Sequence, residues 1–572
     1  MIDCLIIGFN DTNFQEYVHM TKTMAGDSGA YQDLRLAFIE WHGKPYRPLD
    51  LLNHFYFQDK QKTYKPFHNA DFLWPVITYL GTYLSRRGLT FDYINLFQKE
   101  KQQLKEKLLT HDILTIAITT TLYVFPHPIM EIVSFIRQYN STAKIVIGGP
   151  YILNQVKVSD GESLQHLLNS LGGDFYVINS QGEHALVNLI NALKNGNANL
   201  ETIANIAFKK GDEFILTSLV TEHNPLEENM VDYSLFPMAA YGELVSTRTA
   251  RSCPFACAFC GFPQRAGKYT YLSVEMVEKE LERLSDLGTV TTITFLDDTF
   301  NVPKERFKAL LRLMIKNRYG FKWNCCYRCD HGDRETIHLM KEAGCEGVFL
   351  GVESGSDTML KRMNKTARRK HYLDAIPLFN HLGISTYASF IIGFPGETPE
   401  SVQETIDLIE EAQPEFFRTQ LWYCDQITPI WSQREEYNLE GFGFKWSHRT
   451  MNARKACDFI EKIFLSIENS IWLPQFGFEQ WSTFYLQRKG MSMDRIKAFL
   501  KSFNAVLKYQ ILHPGNQKEI DNHLLENLEK CCHFDVIPAA RLTSPLEEIL
   551  PEHETQSQDL KTPDHADDSF NF

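Results

Sequence analysis

Residues 247–263, TRTARSCPFACAFCGFP, place three thiols within a short loop. Cys253, Cys257 and Cys260 have the spacing C-x3-C-x2-C, and an aromatic residue directly precedes the last cysteine. Such a loop can turn three sulfurs toward one cuboidal iron–sulfur cluster, for which thiolates are the usual ligands. Because three thiols face four irons, one iron keeps an open site. The loop therefore predicts a cluster that binds a ligand and does more than transfer electrons.

Two other interpretations of the loop are open. The three cysteines are also compatible with buried structural thiols, since free cysteine is among the most buried residue types. A zinc loop is the second alternative, although structural zinc usually has four protein ligands and no partner pair of cysteines lies at the usual offset.

Composition and length limit the class of protein. A chain of 572 residues is long enough for three or four domains, and 44% hydrophobic with 23% charged residues is ordinary for a globular protein. The net charge of −13 leaves no basic stripe for nucleic acid. The sequence contains no apolar run of about 18 residues, so we expect no membrane-spanning helix. The N-terminus also lacks the pattern of a signal peptide. Twelve cysteines in such a chain indicate a reducing, cytoplasmic location.

Strands and helices alternate along the first 210 residues, which predicts a doubly wound parallel α/β sheet. A segment rich in aromatic residues, about 28–70, interrupts the alternation as an insertion. Polar or glycine-containing turns follow the predicted strands, and such turns are where these folds bind ligands. A polar linker is expected at 211–240.

The cysteine loop resembles the cluster loop of the radical S-adenosylmethionine (SAM) enzymes. The resemblance implies that the open iron chelates the amino and carboxylate groups of SAM, and that Phe259 offers its backbone to the adenine. Ser252 is a departure, because many relatives carry glycine directly before the first cysteine.

The strand–helix repeats at 241–430 resemble the partial (β/α)6 barrel of this family, in which chemistry takes place at the carboxyl ends of the strands. The resemblance implies a set of SAM contacts at these ends. They are Asp297 or Asp298 for the methionine amino group, Arg328 for its carboxylate, Glu353 for the ribose, and Gly393 with Pro395 for the adenosyl part.

The N-terminal region resembles the cobalamin-binding domain that precedes the barrel in one large class of radical SAM enzymes, with a ligand-free Rossmann-like domain as the alternative. The residues expected at the cobalamin are Asn10, Thr119, Thr120, Gly148, Gly149, Pro150, Gly182 and Glu183. No Asp-x-His string occurs in this region. We therefore expect a cobalamin without a lower protein ligand.

Residues 431–540 are expected to form a helical module, and the acidic residues 541–572 a disordered tail. Cys424, Trp446 and His448 are candidates for the substrate cavity. The string W-S-H-x-T-M in this module resembles the branch that includes the P-methyltransferase of phosphinothricin-type antibiotic biosynthesis.

The resemblance implies a cobalamin-dependent methyltransferase of specialised metabolism that acts on an unactivated carbon or on phosphinate phosphorus. Its implied partners are a small-molecule or carrier-bound substrate and a reductant of the flavodoxin or ferredoxin type. Two alternatives are open. One is a cobalamin-dependent radical SAM oxidoreductase or cyclase that does not methylate, and the other is a non-catalytic cobalamin or iron–sulfur sensor.

Overall fold

The computed structural model describes residues 1–24, 27–58, 65–196, 199–474, 476–514 and 520–536. The acidic segment 541–572, for which the sequence predicts disorder, lies outside the described residues. Within these ranges no helix is both long and apolar enough to cross a membrane.

The N-terminal region forms one seven-stranded sheet with helices on both faces. The strands of this region are β1 (Ile2–Phe9), β2 (Ile39–Trp41), β3 (Lys44–Tyr46), β4 (Phe91–Leu96), β5 (Ile113–Thr119), β6 (Lys144–Gly148), β7 (Phe175–Val177), β8 (Ile206–Lys210) and β9 (Glu213–Leu216). Strands β2 and β3 form a separate hairpin, and the other seven form the sheet. Its helices are α1 (Phe14–Lys22), α2 (Ala30–Leu34), α3 (Pro48–Tyr56), α4 (Pro75–Ser85), α5 (Lys101–Thr110), α6 (His127–Tyr139), α7 (Pro150–Val158), α8 (Gly161–Leu171) and α9 (Glu183–Asn195).

The order of this sheet is β4-β1-β5-β6-β7-β8-β9, with parallel pairing from β4 to β7 and antiparallel pairing at β8 and β9. The interior strands are continuous apolar runs because helices cover both faces of the sheet. The predicted doubly wound fold is confirmed. The sheet extends to Leu216 in β9, so the first residues of the predicted linker 211–240 belong to it.

The insertion at 28–70 contains α2, the hairpin β2–β3 and α3, and it packs against the C-terminal part of the chain. Asp33 Oδ1 accepts a hydrogen bond from Leu421 N at 3.2 Å. Glu40 N donates to Gln510 Oε1 at 3.2 Å, and Gln510 Nε2 donates back to Glu40 O at 2.6 Å. The insertion thereby ties the N-terminal region to the end of the molecule.

The central region forms the second seven-stranded sheet, an open barrel with helices outside. Its elements up to residue 421 are α10 (Met238–Tyr241), β10 (Leu244–Thr247), β11 (Ala250–Arg251), α11 (Phe262–Ala266), β12 (Thr270–Tyr271), α12 (Val274–Asp286), β13 (Thr292–Phe295), α13 (Lys304–Asn317), β14 (Lys322–Cys326), α14 (Arg334–Glu342), β15 (Cys345–Glu353), α15 (Asp357–Arg362), α16 (Arg369–His381), β16 (Ser385–Ile392), α17 (Pro399–Ala412) and β17 (Phe416–Leu421).

The remaining elements lie at 434–532. They are α18 (Arg434–Tyr437), β18 (Glu440–Phe442), β19 (Lys445–His448), β20 (Met451–Asn452), α19 (Ala453–Ser466), β21 (Ile471–Trp472), α20 (Gln480–Arg488), α21 (Met493–Leu512) and α22 (Asn522–Cys532). The barrel sheet has the order β10-β13-β14-β15-β16-β17-β21, and all of its pairs are parallel.

The expectation of a purely helical module after residue 430 is wrong in two places. Strands β18–β20 form a small antiparallel sheet, and β21 adds a seventh strand to the barrel beside β17. Gly441, within β18, and Gly443, directly after it, have φ of +79° and +63°. This is a backbone conformation that glycine adopts without steric cost, so the chain can turn sharply here.

Candidate active site

The three cysteines of the loop line one cavity of about 300 Å³ inside the barrel. The loop is fixed from outside by backbone hydrogen bonds, because Ala258 N donates to Met363 O at 2.8 Å and Ile430 N donates to Ala258 O at 3.0 Å. Asn364 Nδ2 also donates to Ala256 O at 2.7 Å. These contacts from two other segments hold the thiols at the cavity wall.

Burial favours the neutral thiol form of two of the three cysteines. Burial raises the pKa of Cys253, and it raises the pKa of Cys260 to about 11. Metal ligation requires the thiolate form, so a bound cation has to supply the compensating charge. In the described part of the chain, no three His, Cys, Asp or Glu side chains are arranged to hold a single metal ion. The donor set, three soft thiols on one cavity, fits a group of several irons.

The two neighbouring aspartates after β13 have different environments. Asp297 is buried, and its carboxylate accepts from Thr249 N at 2.8 Å, from Ala250 N at 2.6 Å and from Thr249 Oγ1 at 2.6 Å. Asp298 lines the cavity, and burial followed by the charge of Asp297 raises its pKa to about 7. Asp298 is therefore the one of the pair that lines the cavity.

Arg328 and Glu353 both line the cavity as their positions after β14 and at the end of β15 predict. Arg328 Nε and Nη2 donate to the carboxylate of Asp330 at 3.2 and 3.1 Å, and its guanidinium lies 3.6 Å from the ring centroid of Phe255. Glu353 Oε1 accepts from Lys365 Nζ at 2.9 Å. Lys365 also lines the cavity, but no sequence signal indicated it.

The turn after β16 does not line this cavity. Gly393 has a φ of +96°, and its N–H donates to the buried carboxylate of Glu397. A Cβ at Gly393 would lie 2.4 Å from the Trp446 ring. Gly393 is therefore buried beneath that ring, Pro395 is buried as well, and neither lines the cavity. Phe259, by contrast, lines the cavity between two of the thiols.

The three residues expected in the substrate cavity form a packed layer instead. The Trp446 and His448 rings stack at 5.2 Å, Trp446 Nε1 donates to Trp422 O at 2.8 Å, and His448 Nε2 donates to Gly393 O at 3.0 Å. Cys424 is buried, and its thiol donates to Gly441 O at 3.7 Å. None of the three lines the cysteine-lined cavity, because Trp446 and His448 pack on Gly393 and Cys424 pairs with the β18–β19 segment.

A second cavity, of about 400 Å³, lies at the carboxyl ends of β5, β6 and β7. Six residues predicted at the cobalamin line it, namely Thr119, Gly148, Gly149, Pro150, Gly182 and Glu183. Gly149 has a φ of +114°, and a Cβ there would lie 2.9 Å from Thr120 Oγ1. This position therefore requires glycine. Burial raises the pKa of Glu183, whose carboxylate faces the same cavity.

Two of the predicted cobalamin residues do not line this cavity. Asn10 is buried, and its Nδ2 donates to Pro128 O at 3.0 Å and to Glu131 Oε2 at 2.9 Å. Thr120 is buried, and its Oγ1 donates to Gly148 O at 3.0 Å. Asn10 thus fixes the start of α6 to the end of β1, while Thr120 contacts the Gly148–Gly149 turn.

The barrel contributes residues to the second cavity that sequence reasoning missed. Arg248 and Arg251, both within the cysteine loop segment, line it together with Tyr79 of α4. The Arg248 guanidinium lies 4.3 Å from the Tyr79 ring centroid, and Arg251 Nη1 donates to Gln181 Oε1 at 3.1 Å. The described residues that line this cavity include no histidine. The second cavity is thus built jointly by the sheet and the barrel.

The two cavities have two lining residues in common, Phe262 and Asp298. A ligand in the cysteine-lined cavity and a ligand in the sheet-edge cavity therefore approach one another across these side chains. This arrangement can bring two cofactors to opposite sides of one substrate.

Residues 247–409 match the model of the radical SAM superfamily. This part of the chain is thus similar to the radical SAM domain, as the cysteine loop predicted. The family implies the 4Fe–4S cluster and SAM as ligands of the cysteine-lined cavity.

Individual relatives match well beyond this domain. An uncharacterized methyltransferase of Pyrococcus horikoshii is 27% identical over 401 residues, which cover 67% of this chain and 80% of the relative. The anaerobic magnesium-protoporphyrin IX monomethyl ester cyclase of Rubrivivax gelatinosus is 22% identical over 459 residues, or 75% of this chain and 79% of the cyclase.

A solved structure shares the fold of both regions. The radical SAM methyltransferase TsrM from Kitasatospora setae, with cobalamin and a [4Fe-4S] cluster bound, has a TM-score of 0.54 at 18% identity. The match covers 76% of this chain and 78% of TsrM. The predicted fold, an N-terminal Rossmann-like domain followed by a radical SAM barrel, is confirmed.

Proposed function

We propose that the chain is a cobalamin-dependent radical SAM methyltransferase that acts on an unactivated carbon or a phosphinate phosphorus in specialised metabolism. The observation that carries this proposal is the shared wall of the two cavities, Phe262 and Asp298. A methyl donor on one side and a radical generator on the other need a substrate between them. The names of the Pyrococcus relative and of TsrM support methyl transfer.

The residues of the chain supply position and exclusion of water. When bound, the cluster and cobalamin supply the electron for SAM cleavage and the methyl group, respectively. Cys253, Cys257 and Cys260 hold the cluster, and Asp298 accepts hydrogen bonds from the amino group of SAM or from substrate. Gly148, Gly149 and Pro150 let the cobalamin approach the backbone, because a side chain at Gly149 would collide with Thr120.

The histidine-free lining supports a cobalamin without a lower protein ligand. Substrate, free or bound to a carrier, enters the barrel cavity. The cluster, when bound, would receive its electron from a protein of the flavodoxin or ferredoxin type.

The test is anaerobic reconstitution with iron, sulfide and cobalamin, followed by incubation with SAM and dithionite. We expect 5′-deoxyadenosine from the wild-type protein and none from Cys257→Ala, while cobalamin absorbance is equal in both. Cys531→Ala serves as control, because this thiol lies on α22, outside both cavities. Undiminished SAM cleavage by Cys257→Ala would refute the cluster assignment.

A second function, radical oxidation or ring closure without methyl transfer, is favoured by the likeness to the protoporphyrin cyclase. Both functions use the same two cavities. They differ in the fate of SAM, since methyl transfer yields S-adenosylhomocysteine in addition to 5′-deoxyadenosine. Turnover that produces only 5′-deoxyadenosine would favour the second function.

A further inference from the structure

Arg418 is a cationic side chain at the wall of the cysteine-lined cavity, and its guanidinium is only weakly hydrogen-bonded. Arg328, Lys365 and Arg418 are the lysine and arginine residues that line the cavity among the described residues. Arg328 is held by two hydrogen bonds to Asp330, and Lys365 lies 2.9 Å from Glu353. The hydrogen bond found for the Arg418 guanidinium in the described residues is long, 3.4 Å from Nη1 to Glu479 Oε2. Arg418 is therefore the least satisfied of the three.

The countercharge around Arg418 is also weak. Burial raises the pKa of Glu479, and it raises the pKa of Asp33 to about 7 although the charge of Arg418 acts in the opposite direction. A half-buried guanidinium with one long contact retains donors for a further acceptor, and carboxylate or phosphinate oxygens match its fork of N–H groups.

The strand register places Arg418 in a row of residues that line the cavity. Gly351 on β15 pairs with Ser389 on β16, which pairs with Arg418 on β17, and all three line the cavity. The Lys365–Glu353 ion pair covers Gly351, since a Cβ there would lie 2.5 Å from Glu353 Oε1 and 3.5 Å from Lys365 Nζ, whereas Ser389, next to Arg418, is a small side chain at the cavity wall. The row is thus polar, with an ion pair at one end and the Arg418 guanidinium at the other.

An aromatic row lies beside the polar one. Phe349, Tyr387 and Phe416 pair across the same three strands and line the same cavity, with Tyr387 and Phe416 stacked at 4.9 Å. The three rings are buried and form an apolar cavity wall, which favours an apolar group of a ligand, while the neighbouring guanidinium binds an anion. The two rows together define a ligand with an apolar body and an anionic end.

We propose that Arg418 binds a carboxylate or phosphinate group of the methyl-accepting substrate, whose apolar part packs on Phe349, Tyr387 and Phe416. This inference rests on the proposed function and names the substrate class of the same cavity. It assigns a specificity role to a residue of the last long barrel strand, outside the SAM contacts.

The test uses calorimetric titration of the anaerobically reconstituted protein, loaded with cluster, cobalamin and SAM. The probes are phenylphosphinate, benzoate and the neutral benzamide. We expect both anions to bind wild type at least tenfold more tightly than benzamide. Arg418→Gln is expected to lower anion affinity at least tenfold and to leave benzamide unchanged, and Glu479→Gln is expected to raise anion affinity because it removes the competing carboxylate.

Arg312→Gln is the matched control, because it makes the same change on the exposed face of α13. Equal anion affinity in wild type and Arg418→Gln would overturn the proposal, as would the absence of anion binding by wild type. A tenfold loss of SAM affinity in Arg418→Gln would also overturn it, because Arg418 would then belong to the SAM site. Failure of the proposed function is detected separately, as absence of SAM cleavage by the wild-type protein.

Discussion

Ser252 adopts a φ of +67° directly before the first cluster cysteine, in a region that disfavours residues with a Cβ. A left-handed backbone conformation costs a non-glycine residue about 1–2 kcal/mol in the folded state. Glycine removes this cost but increases the conformational entropy of the unfolded chain, which cancels only part of the gain. Ser252→Gly should therefore raise the apparent free energy of unfolding by about 0.5–1 kcal/mol in anaerobic denaturant titrations. Both Ser252→Gly and Ser252→Ala remove the Ser252 hydroxyl, which is buried without a hydrogen-bond partner among the described residues, so the gain of Ser252→Gly over Ser252→Ala measures the effect of the Cβ. A destabilised Ser252→Gly protein would contradict this account of the loop.

Glu397 is fully buried and holds the Gly393 turn, and burial raises the pKa of its carboxyl to about 8. The folded state thus binds a proton that the unfolded state releases near its ordinary pKa of 4.5. Stability from this group is full below 4.5 and is lost as the pH rises toward 8.

Glu397→Gln retains an oxygen acceptor for Gly393 N but does not titrate. We expect the free energy of unfolding of wild type to fall, relative to this variant, by about 1 kcal/mol or more between pH 5 and pH 8. Parallel pH profiles for the two proteins would show that the carboxyl is charged in the folded state throughout.

The turn between β6 and α7 forms part of the wall of the second cavity. Gly149→Ala places a Cβ 2.9 Å from Thr120 Oγ1 at a φ of +114°. We expect at least a tenfold loss of cobalamin affinity, measured by absorbance, and a loss of stability of about 1–3 kcal/mol. Gly161→Ala, at the start of α8, is the control, because no atom lies within 4 Å of the added Cβ. Unchanged cobalamin affinity in Gly149→Ala would place the cofactor elsewhere.

Elements that are buried on both faces could be predicted from the sequence. The interior strands of the N-terminal sheet are continuous apolar runs that end in turns, which is the pattern of parallel strands covered on both faces. Thr119 and the Gly148–Gly149–Pro150 turn could be placed at a ligand edge for the same reason. Asn10 also follows a strand, but its partners Pro128 and Glu131 come from a distant helix that local pattern does not reveal.

Side chains whose surroundings depend on tertiary packing could not be predicted. Trp446 and His448 were expected in the cavity, but the small sheet β18–β20 stacks them on the outside of the Gly393 turn. Arg418 and Phe416 lie on the same face of β17, yet only the tertiary fold shows that this face, with Ser389 of β16, lines the cavity. Gly441 and Gly443 were the one local signal of the hairpin that the helical expectation overlooked.

The insertion at 28–70 joins the N-terminal region to the C-terminal helix α21. Gln510 on α21 exchanges two hydrogen bonds with the backbone of Glu40. Gln510→Ala leaves these buried backbone groups without their partner, so we expect a loss of about 1–3 kcal/mol in the apparent free energy of unfolding. Lys501→Ala, on the exposed face of the same helix, should change it by less than about 0.5 kcal/mol. Equal stability of the two variants would mean that the insertion does not tie the regions together.

The two-cavity arrangement is the central claim about the whole molecule, and formation of 5′-deoxyadenosine tests it most directly. Protein reconstituted anaerobically with cluster and cobalamin is incubated with SAM and dithionite, and the nucleoside is quantified beside the bound cobalamin. The account predicts 5′-deoxyadenosine from wild type, none from Cys257→Ala, and equal cobalamin in both. Absence of the nucleoside from fully loaded wild type, or its undiminished formation by Cys257→Ala, would contradict it.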